Sequence, residues 1–248
     1  MFYNKQMKIL FGNWKMNPVT ENEAVKLARA SDVKDAVLIP PFPFLKAVKN
    51  VLKNASLGAQ DVFYEEKGAY TGEVSPAMLK KLGVKYVVVG HSERRRLGEN
   101  DEMIAKKVKA GIDAGLKIIL CVGEPLSIYK KGKKATEEFI KKQLSFIENY
   151  KLKIGNLIIA YEPIWAVGTG KNADPEDVAR IARFVKNIIS VPVLYGGSTN
   201  SKNTEDFLKK KEISGLLIGG ASIDAKEFQK MIKIVCLRQI SRRETKKL

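Results

Sequence analysis

A closed (β/α)8 barrel with parallel strands, folded as a single domain, is the class this sequence predicts, and three observations carry it. About eight short runs rich in β-branched residues recur along the 248 residues: KILFGNWK, AVLIP, SLGAQ, YVVVG, KIILCV, NLIIAYEP, VPVLYGG and ISGLLIGG. Between most of them lies a segment whose apolar residues fall at three- and four-residue steps, the spacing of one helix face. The runs themselves are apolar on successive residues, which marks strands covered on both faces by helices. Strict strand–helix alternation implies parallel strands joined by right-handed crossovers. About eight such units in this length suit a closed barrel. The rival is an open doubly wound sheet, but no GxGxxG fingerprint follows the first run and no stretch reads as a linker.

The elements follow in order. KILFGNWK is the first strand and ends in Asn13 and Lys15. ENEAVKLARA is the first helix, opened by Thr20 and Glu23 in a capping-box pattern. AVLIP leads to the helix PFLKAVKNVL, and SLGAQ, ending in Gln60 and Asp61, leads to PAMLKKL. YVVVG ends in His91 and Glu93, a polar helix begins near Ser92, and DEMIAKKVKAGIDAG follows. KIILCV carries Cys121 near its end, where cysteine behaves as a small apolar residue. ATEEFIKKQLSFIENY is the helix after it. NLIIAYEP ends in Glu162, and Asp174 with Pro175 then starts PEDVARIARFVKNII as N-cap and first-turn proline. VPVLYGG precedes TEDFLKK, and ISGLLIGG precedes DAKEFQKMIKIV, with Asp224 at the helix start. The barrel domain is expected over 1–236, with 237–248 a basic C-terminal tail for which flexibility is the default.

Composition narrows the function. No apolar run approaches the roughly 18 residues that suggest a membrane span. The start, MFYNKQMKILFGNWK, lacks the long apolar core of a signal peptide, so a cytoplasmic protein with no membrane association is expected. Two distant cysteines, Cys121 and Cys236, have no CxxC partner, which argues against a disulfide framework or structural zinc. The net charge of +17 comes from clusters such as KKVK, YKKGKK and FLKKK, spread over outer helices without interleaved aromatics. That pattern disfavours nucleic-acid binding. It suits a field that draws in an anionic small-molecule substrate.

In a barrel of this kind, chemistry sits at the C-terminal ends of the strands. Reading only those ends brings a lysine, a carboxylate and the chain's only histidine, His91, to one face. Each has a plainer reading: Lys15 as one solvated lysine among many, Glu162 as a loop charge, GG pairs as turns. Glu162 precedes Pro163, however, which biases it toward extended backbone. The GG pairs after strands seven and eight stand at the usual phosphate site of such barrels. The segment PIWAVGTGKNADPED after Glu162 is long against the about 2–6 residues of an ordinary βα loop. It reads as a lid that closes over ligand and excludes water.

NWKMN (Asn13 to Asn17), GHSERR (Gly90 to Arg95), AYEPIWAVGTGK (Ala160 to Lys171), YGGS (Tyr195 to Ser198) and LIGGAS (Leu217 to Ser222) resemble the motifs of the triosephosphate isomerase family, in the family's order. GAQD, AYTGEVS and CVGE add to the likeness. The resemblance implies the family's barrel and an aldose–ketose isomerase with neither cofactor nor metal. It assigns Glu162 as the base, His91 as the neutral electrophile, Lys15 as fixed positive charge and Asn13 as a donor to substrate oxygens. Glu93 would orient Lys15, and backbone N–H groups of Gly168, Ser198, Gly219 and Gly220 would hold the phosphate. AYTGEVS resembles the family's protruding loop, so Thr71 would approach a partner's site in a homodimer or higher homo-oligomer. Three places depart from the family pattern: a short first helix between Pro18 and Ser31, about one residue fewer after Arg95, and Pro125 after CVGE. Two other readings stay open here. One is a different phosphate-binding barrel enzyme, against which the lid motif and the missing metal ligands argue. The other is a non-catalytic barrel with a basic docking surface, against which the set Asn13, Lys15, His91 and Glu162 argues.

Overall fold

In the computed structural model, which describes residues 8–148, 152, 154–168 and 172–244, each strand pairs in parallel with the next and the eighth returns to the first. The strands are β1 (Ile9–Asn13), β2 (Ala36–Ile39), β3 (Ser56–Ala59), β4 (Tyr86–Val89), β5 (Lys117–Val122), β6 (Leu157–Tyr161), β7 (Val193–Tyr195) and β8 (Gly215–Ile218). The helices are α1 (Glu21–Ala30), α2 (Leu45–Val51), α3 (Pro76–Lys81), α4 (Ser92–Arg96), α5 (Asp101–Asp113), α6 (Leu126–Tyr129), α7 (Lys133–Glu148), α8 (Pro175–Ile188), α9 (Thr204–Lys209) and α10 (Ala225–Glu244). The expected caps are present. Thr20 and Glu23 close the box on α1, and the Asp174 side chain accepts the Glu176 N–H at the start of α8.

Strand side chains alternate between two faces, and here the two faces are two separate cores. Phe11, Val37, Ile39, Tyr86, Val88, Ile119, Cys121, Ile158, Ala160, Leu194 and Leu217 form one buried cluster, contributed by strands alone, which fills the ring. Their chain neighbours, such as Leu10, Leu38, Val87, Leu120, Ile159 and Leu216, join the helices in a larger outer cluster. The register makes this possible, since Phe11 lies beside Val37 on one side and Leu217 on the other. Each fully buried aliphatic side chain contributes about 1.5–3 kcal/mol, so the outer cluster decides which stripe of each helix turns inward.

One charged cluster is folded into this apolar frame. Lys107 of α5 is 2% exposed. Its Nζ donates to both oxygens of Asp61, just past β3, at 2.9 and 2.8 Å, and to Glu99 Oε1 at 2.5 Å. Arg94 of α4 reaches the same two carboxylates, at 3.1 Å from Asp61 Oδ2 and 2.5 Å from Glu99 Oε1. Burial pushes the Asp61 carboxyl up in spite of Lys107. At Glu99 burial acts in the same direction, but hydrogen bonds from Lys107 and Arg94 outweigh it and hold the carboxyl below its usual range. The cluster ties the end of β3 to α4 and α5.

Two differences from the sequence reading concern helices. α6 is a separate single turn after Pro125, too short for its periodicity to be seen. α10 continues through Glu244, past the boundary expected at residue 237, because no glycine or proline interrupts 225–244. Residues 245–248 of the expected tail lie outside the described residues. Among the described residues no helix is long and apolar enough to cross a membrane, and no three His, Cys, Asp or Glu side chains gather as a set that could hold a metal ion.

At the top of β5 the Glu162 N–H donates to the Val122 carbonyl at 2.8 Å. Its own carbonyl passes so near that a Cβ on Gly123 would stand 2.0 Å from it. Gly155, in contrast, has nothing within 4 Å of the place a Cβ would take. Gly123→Ala is expected to destabilise by about 1–3 kcal/mol or more through overpacking, and Gly155→Ala by less than about 0.5 kcal/mol. Calorimetric melting of the two variants checks this, and equal melting temperatures would deny the close approach.

Candidate active site

Carrying the strand alternation one step past the apolar layer places the next inward residue at the mouth of the ring. In β1 that step leads from Phe11 to Asn13, in β6 from Ile158 and Ala160 to Glu162, and in β8 from Leu217 to Gly219. A cavity of about 330 Å³ opens there. Asn13, Lys15, His91 and Glu162 line it, together with Gly168, Ser198, Gly219 and Gly220.

His91 reaches the cavity because Gly90, at φ +72°, turns the chain from β4 directly into α4. The histidine is the N-cap of that helix. Its Nδ1 accepts the Glu93 N–H at 3.2 Å, a bond that imidazolium cannot make. The proton is therefore on Nε2, which donates to Glu162 Oε1 at 2.8 Å. Glu162 Oε2 accepts the Ser92 N–H at 3.0 Å, so both carboxylate oxygens rest against the start of α4. His91 and Glu162 are 5% and 2% exposed, and water has little access to their contact.

Lys15 stands in the left-handed region, φ +53°, which a side chain other than glycine adopts at a cost. Three side chains hold it there. Asn13 Oδ1 accepts its N–H at 3.0 Å, Gln60 Nε2 donates to its carbonyl at 2.7 Å, and Glu93 Oε1 accepts from its Nζ at 2.5 Å. Burial opposes ionisation of Glu93, but the Lys15 hydrogen bond outweighs it and keeps the carboxyl below its usual range. Gly219 leaves room for the lysine, since a Cβ there would stand 3.1 Å from Lys15 Cε. Beneath the site, Cys121 faces the interior cluster, and burial with the nearby Glu162 charge pushes its thiol well up. It is inert.

The segment after Glu162 is tied down at both ends. Trp165 Nε1 donates to Glu124 Oε1 at 3.0 Å, and the Tyr161 hydroxyl donates to the same oxygen at 3.1 Å. Burial pushes the Glu124 carboxyl up although both donors act against it. The Ala166 carbonyl accepts the N–H and the hydroxyl of Ser198 at 3.1 and 2.7 Å. At the far end Ala173 N–H donates to the Tyr195 hydroxyl at 3.0 Å, and burial pushes that phenol up to about 12. The Ser198 N–H that the sequence reading gave to a phosphate is thus engaged on Ala166. Thr169, Gly170 and Lys171 of the expected lid lie outside the described residues.

Eight of the ten expected residues line this one cavity. Glu93 stands behind Lys15 instead, and Thr71 lies on an exposed turn away from the cavity. Asn172, from the segment read as a lid, and Leu217, from the LIGGAS motif, also line it, as do Thr199, Asn200 and Asn203, which were not anticipated. Strand alternation could have found Leu217. Nothing local marks Asn200 and Asn203.

The model of the family described as triosephosphate isomerase matches residues 8–235. The chain is 46% identical to the triosephosphate isomerase of Thermoanaerobacter pseudethanolicus, the match covering 90% of this chain and 98% of that one. It is 42% identical to the triosephosphate isomerase of Dictyoglomus thermophilum and 40% identical to that of Aquifex aeolicus, each over 91% of this chain and 98% of the relative. A closed eight-stranded barrel, the site at its mouth and a match over nearly its whole length lead to one conclusion: the chain belongs to the triosephosphate isomerase family.

Proposed function

We propose that this chain interconverts dihydroxyacetone phosphate and D-glyceraldehyde 3-phosphate through an enediolate, in glycolysis and gluconeogenesis and in the cytoplasm where those routes run. The observation that carries the reading is the 2.8 Å contact between His91 Nε2 and the buried Glu162 carboxylate, on the wall of a cavity shared with Lys15 and Asn13. A proton next to a carbonyl is weakly acidic, so its removal needs a placed carboxylate and a donor at the oxygen that gains charge. Glu162 is the base that carries the proton between neighbouring carbons. Neutral His91 donates from Nε2 to the carbonyl and hydroxyl oxygens and can regain the proton. Lys15 stabilises the developing negative charge, and Asn13 orients the same oxygens. Both Glu162 oxygens are held by α4 in this structure, so the carboxylate turns out of those bonds to reach carbon.

Backbone at Gly168, Gly219 and Gly220, where no Cβ stands in the way, would receive the phosphate, and the Ser198 N–H would join them on leaving the Ala166 carbonyl. The lid following Glu162 excludes water once substrate is bound, which strengthens each electrostatic contact inside.

A homodimer or higher homo-oligomer is part of this reading. Met16, Val19 and Leu97 are 88%, 84% and 80% exposed, and the Lys15–Glu93 bond brings the loop that carries the first two against α4. Exposed apolar side chains on these two neighbouring segments suit a second copy, whose Thr71 loop would steady Asn13 and Lys15.

Isomerisation of glyceraldehyde 3-phosphate, coupled to NADH oxidation through glycerol-3-phosphate dehydrogenase, tests the chemistry. Glu162→Gln and His91→Ala are each expected to lower kcat by about 10²–10⁴-fold. Turnover that survives Glu162→Gln removes the base, and a folded wild type without turnover removes the reaction. For Glu93 the sign follows from its lowered carboxyl: the stabilisation is present above the unfolded value and is lost as pH falls through the folded one. Glu93→Gln is expected to melt below wild type at neutral pH and to converge with it in acid below the ordinary carboxylate range. A gap that stays constant with pH would refute the pairing with Lys15. Sedimentation is expected to show wild type as an oligomer and Leu97→Asp as single chains, and a monomeric wild type would end the assembly reading.

A further inference from the structure

α10 outruns the barrel against which it packs. Phe228, Met231, Ile232 and Val235 are buried in the outer core, and Val235 is the last buried residue of α10 among those described. Gln229 Nε2 already donates to the carbonyl of Ala30, the last residue of α1, at 2.6 Å. The helix nevertheless runs through Glu244, a further nine residues past Val235 and about 13 Å at the usual rise. The match to the family model also ends at residue 235.

The character of the helix changes at that point. Residues 228, 231, 232 and 235 form its barrel-facing stripe, and the next three- and four-residue steps lead to Arg238 and Arg242. Leu237 falls on the opposite side and is 64% exposed. From 236 onward the sequence carries Arg238, Arg242, Arg243, Lys246 and Lys247 against Glu244. Three of the nine arginines stand here, in a chain that otherwise uses mostly lysine. A second basic element meets this one. The Ser201 N–H donates to Glu227 Oε1 at 2.6 Å, which lays α9 beside α10. α9 ends in Lys209, and Lys210 and Lys211 follow. Lys8 Nζ donates to the Lys210 carbonyl at 3.0 Å, so this turn stands where β1 begins, at the end of the barrel away from the cavity. Lys209 and Lys211 are exposed. The lysine clusters of the other outer helices are spread round the barrel, whereas these two elements meet at one corner.

We propose that this corner binds single-stranded nucleic acid through its phosphates. Like charges on the overhang and on the 209–211 turn repel unless an anion lies between them. A second copy would bring the same charges and be repelled in turn. Arginine suits phosphate because its planar fork meets two oxygens at once, which lysine cannot do. A bilayer would need an apolar stripe on the overhang. Glu244 interrupts the stripe of Leu237 and Ile240, and no aromatic residue lies within 229–248. A single strand can follow the angle between helix and turn, and phosphate contacts alone read no sequence.

The test follows a labelled oligouridylate by fluorescence anisotropy at rising salt. Wild type is compared with a triple variant, Arg238→Gln with Arg242→Gln and Arg243→Gln, and with a double variant, Lys209→Gln with Lys211→Gln. A control carries Lys133→Gln, Lys134→Gln and Lys141→Gln, which removes the same charge as the arginine set from exposed positions on α7. Wild type is expected to bind, with the logarithm of affinity falling linearly against the logarithm of salt. Each phosphate contact on a single strand contributes roughly 0.7 to that slope. The arginine variant is expected to make it shallower by about 2 and the lysine pair by about 1, while the α7 control keeps the wild-type slope. Melting temperature reports whether each variant folds, and if the arginine variant does not, the lysine pair decides by its slope. Wild type that fails to bind at low salt overturns the proposal. An equal change of slope in the α7 control also overturns it, since overall charge alone would then attract the strand. Binding to vesicles rich in anionic lipid that Leu237→Asp abolishes, with no oligouridylate bound, would assign the corner to a bilayer and overturn the proposal as well.

Discussion

Ring closure is the constraint on which the rest of this molecule depends. Once β8 pairs with β1, no strand has a free edge and every side chain is committed to the inside or the outside of the ring. The inside has room for one set of apolar side chains, from Phe11 and Val37 round to Leu217. Whatever follows them on the same face must sit at the mouth, and Asn13 and Glu162 are there for that reason. The site is the last layer of the interior, continued into polar residues.

The mouth is then held by polar bonds between elements that closure has already brought together. α4 is the centre of this arrangement. It caps itself with His91, offers the Ser92 N–H to Glu162 and lends Glu93 to Lys15. So short a helix cannot hold its place by propensity. Arg94, buried Lys107 and the carboxylates of Asp61 and Glu99 fix it to β3 and α5 instead. Removing one member of such a buried set leaves a charge unpaired in an apolar surround, at a cost of about 3–5 kcal/mol. A disturbance there would reach the histidine through one turn of helix.

The strands, the long helices and Asn13, Lys15, His91 and Glu162 as residues of one strand-end face were legible because their signals are local. Successive apolar residues mark the strands, three- and four-residue spacing marks α5, α7 and α8, and a lone histidine after YVVVG marks the site. What escaped depends on contacts distant in sequence. Lys107, within KKVK, reads as one more solvated lysine until Asp61, 46 positions away, is folded against it. Gln60 was seen at its strand end, but its bond to the Lys15 carbonyl belongs to a strained backbone that no pattern announces. The turn of α6 escaped because a one-turn helix is too short to carry a period.

The left-handed backbone at Lys15 carries a wider implication for how this chain can change. Glycine would occupy φ +53° without the roughly 1–2 kcal/mol that a side chain costs there, and the three bonds that hold the backbone would then have less to do. Glycine would also remove the ammonium from the wall of the cavity. Selection for a tougher molecule and selection for a faster one therefore pull this position in opposite directions. Heat tolerance in this barrel must be gained elsewhere, on outer helices that do not touch the mouth.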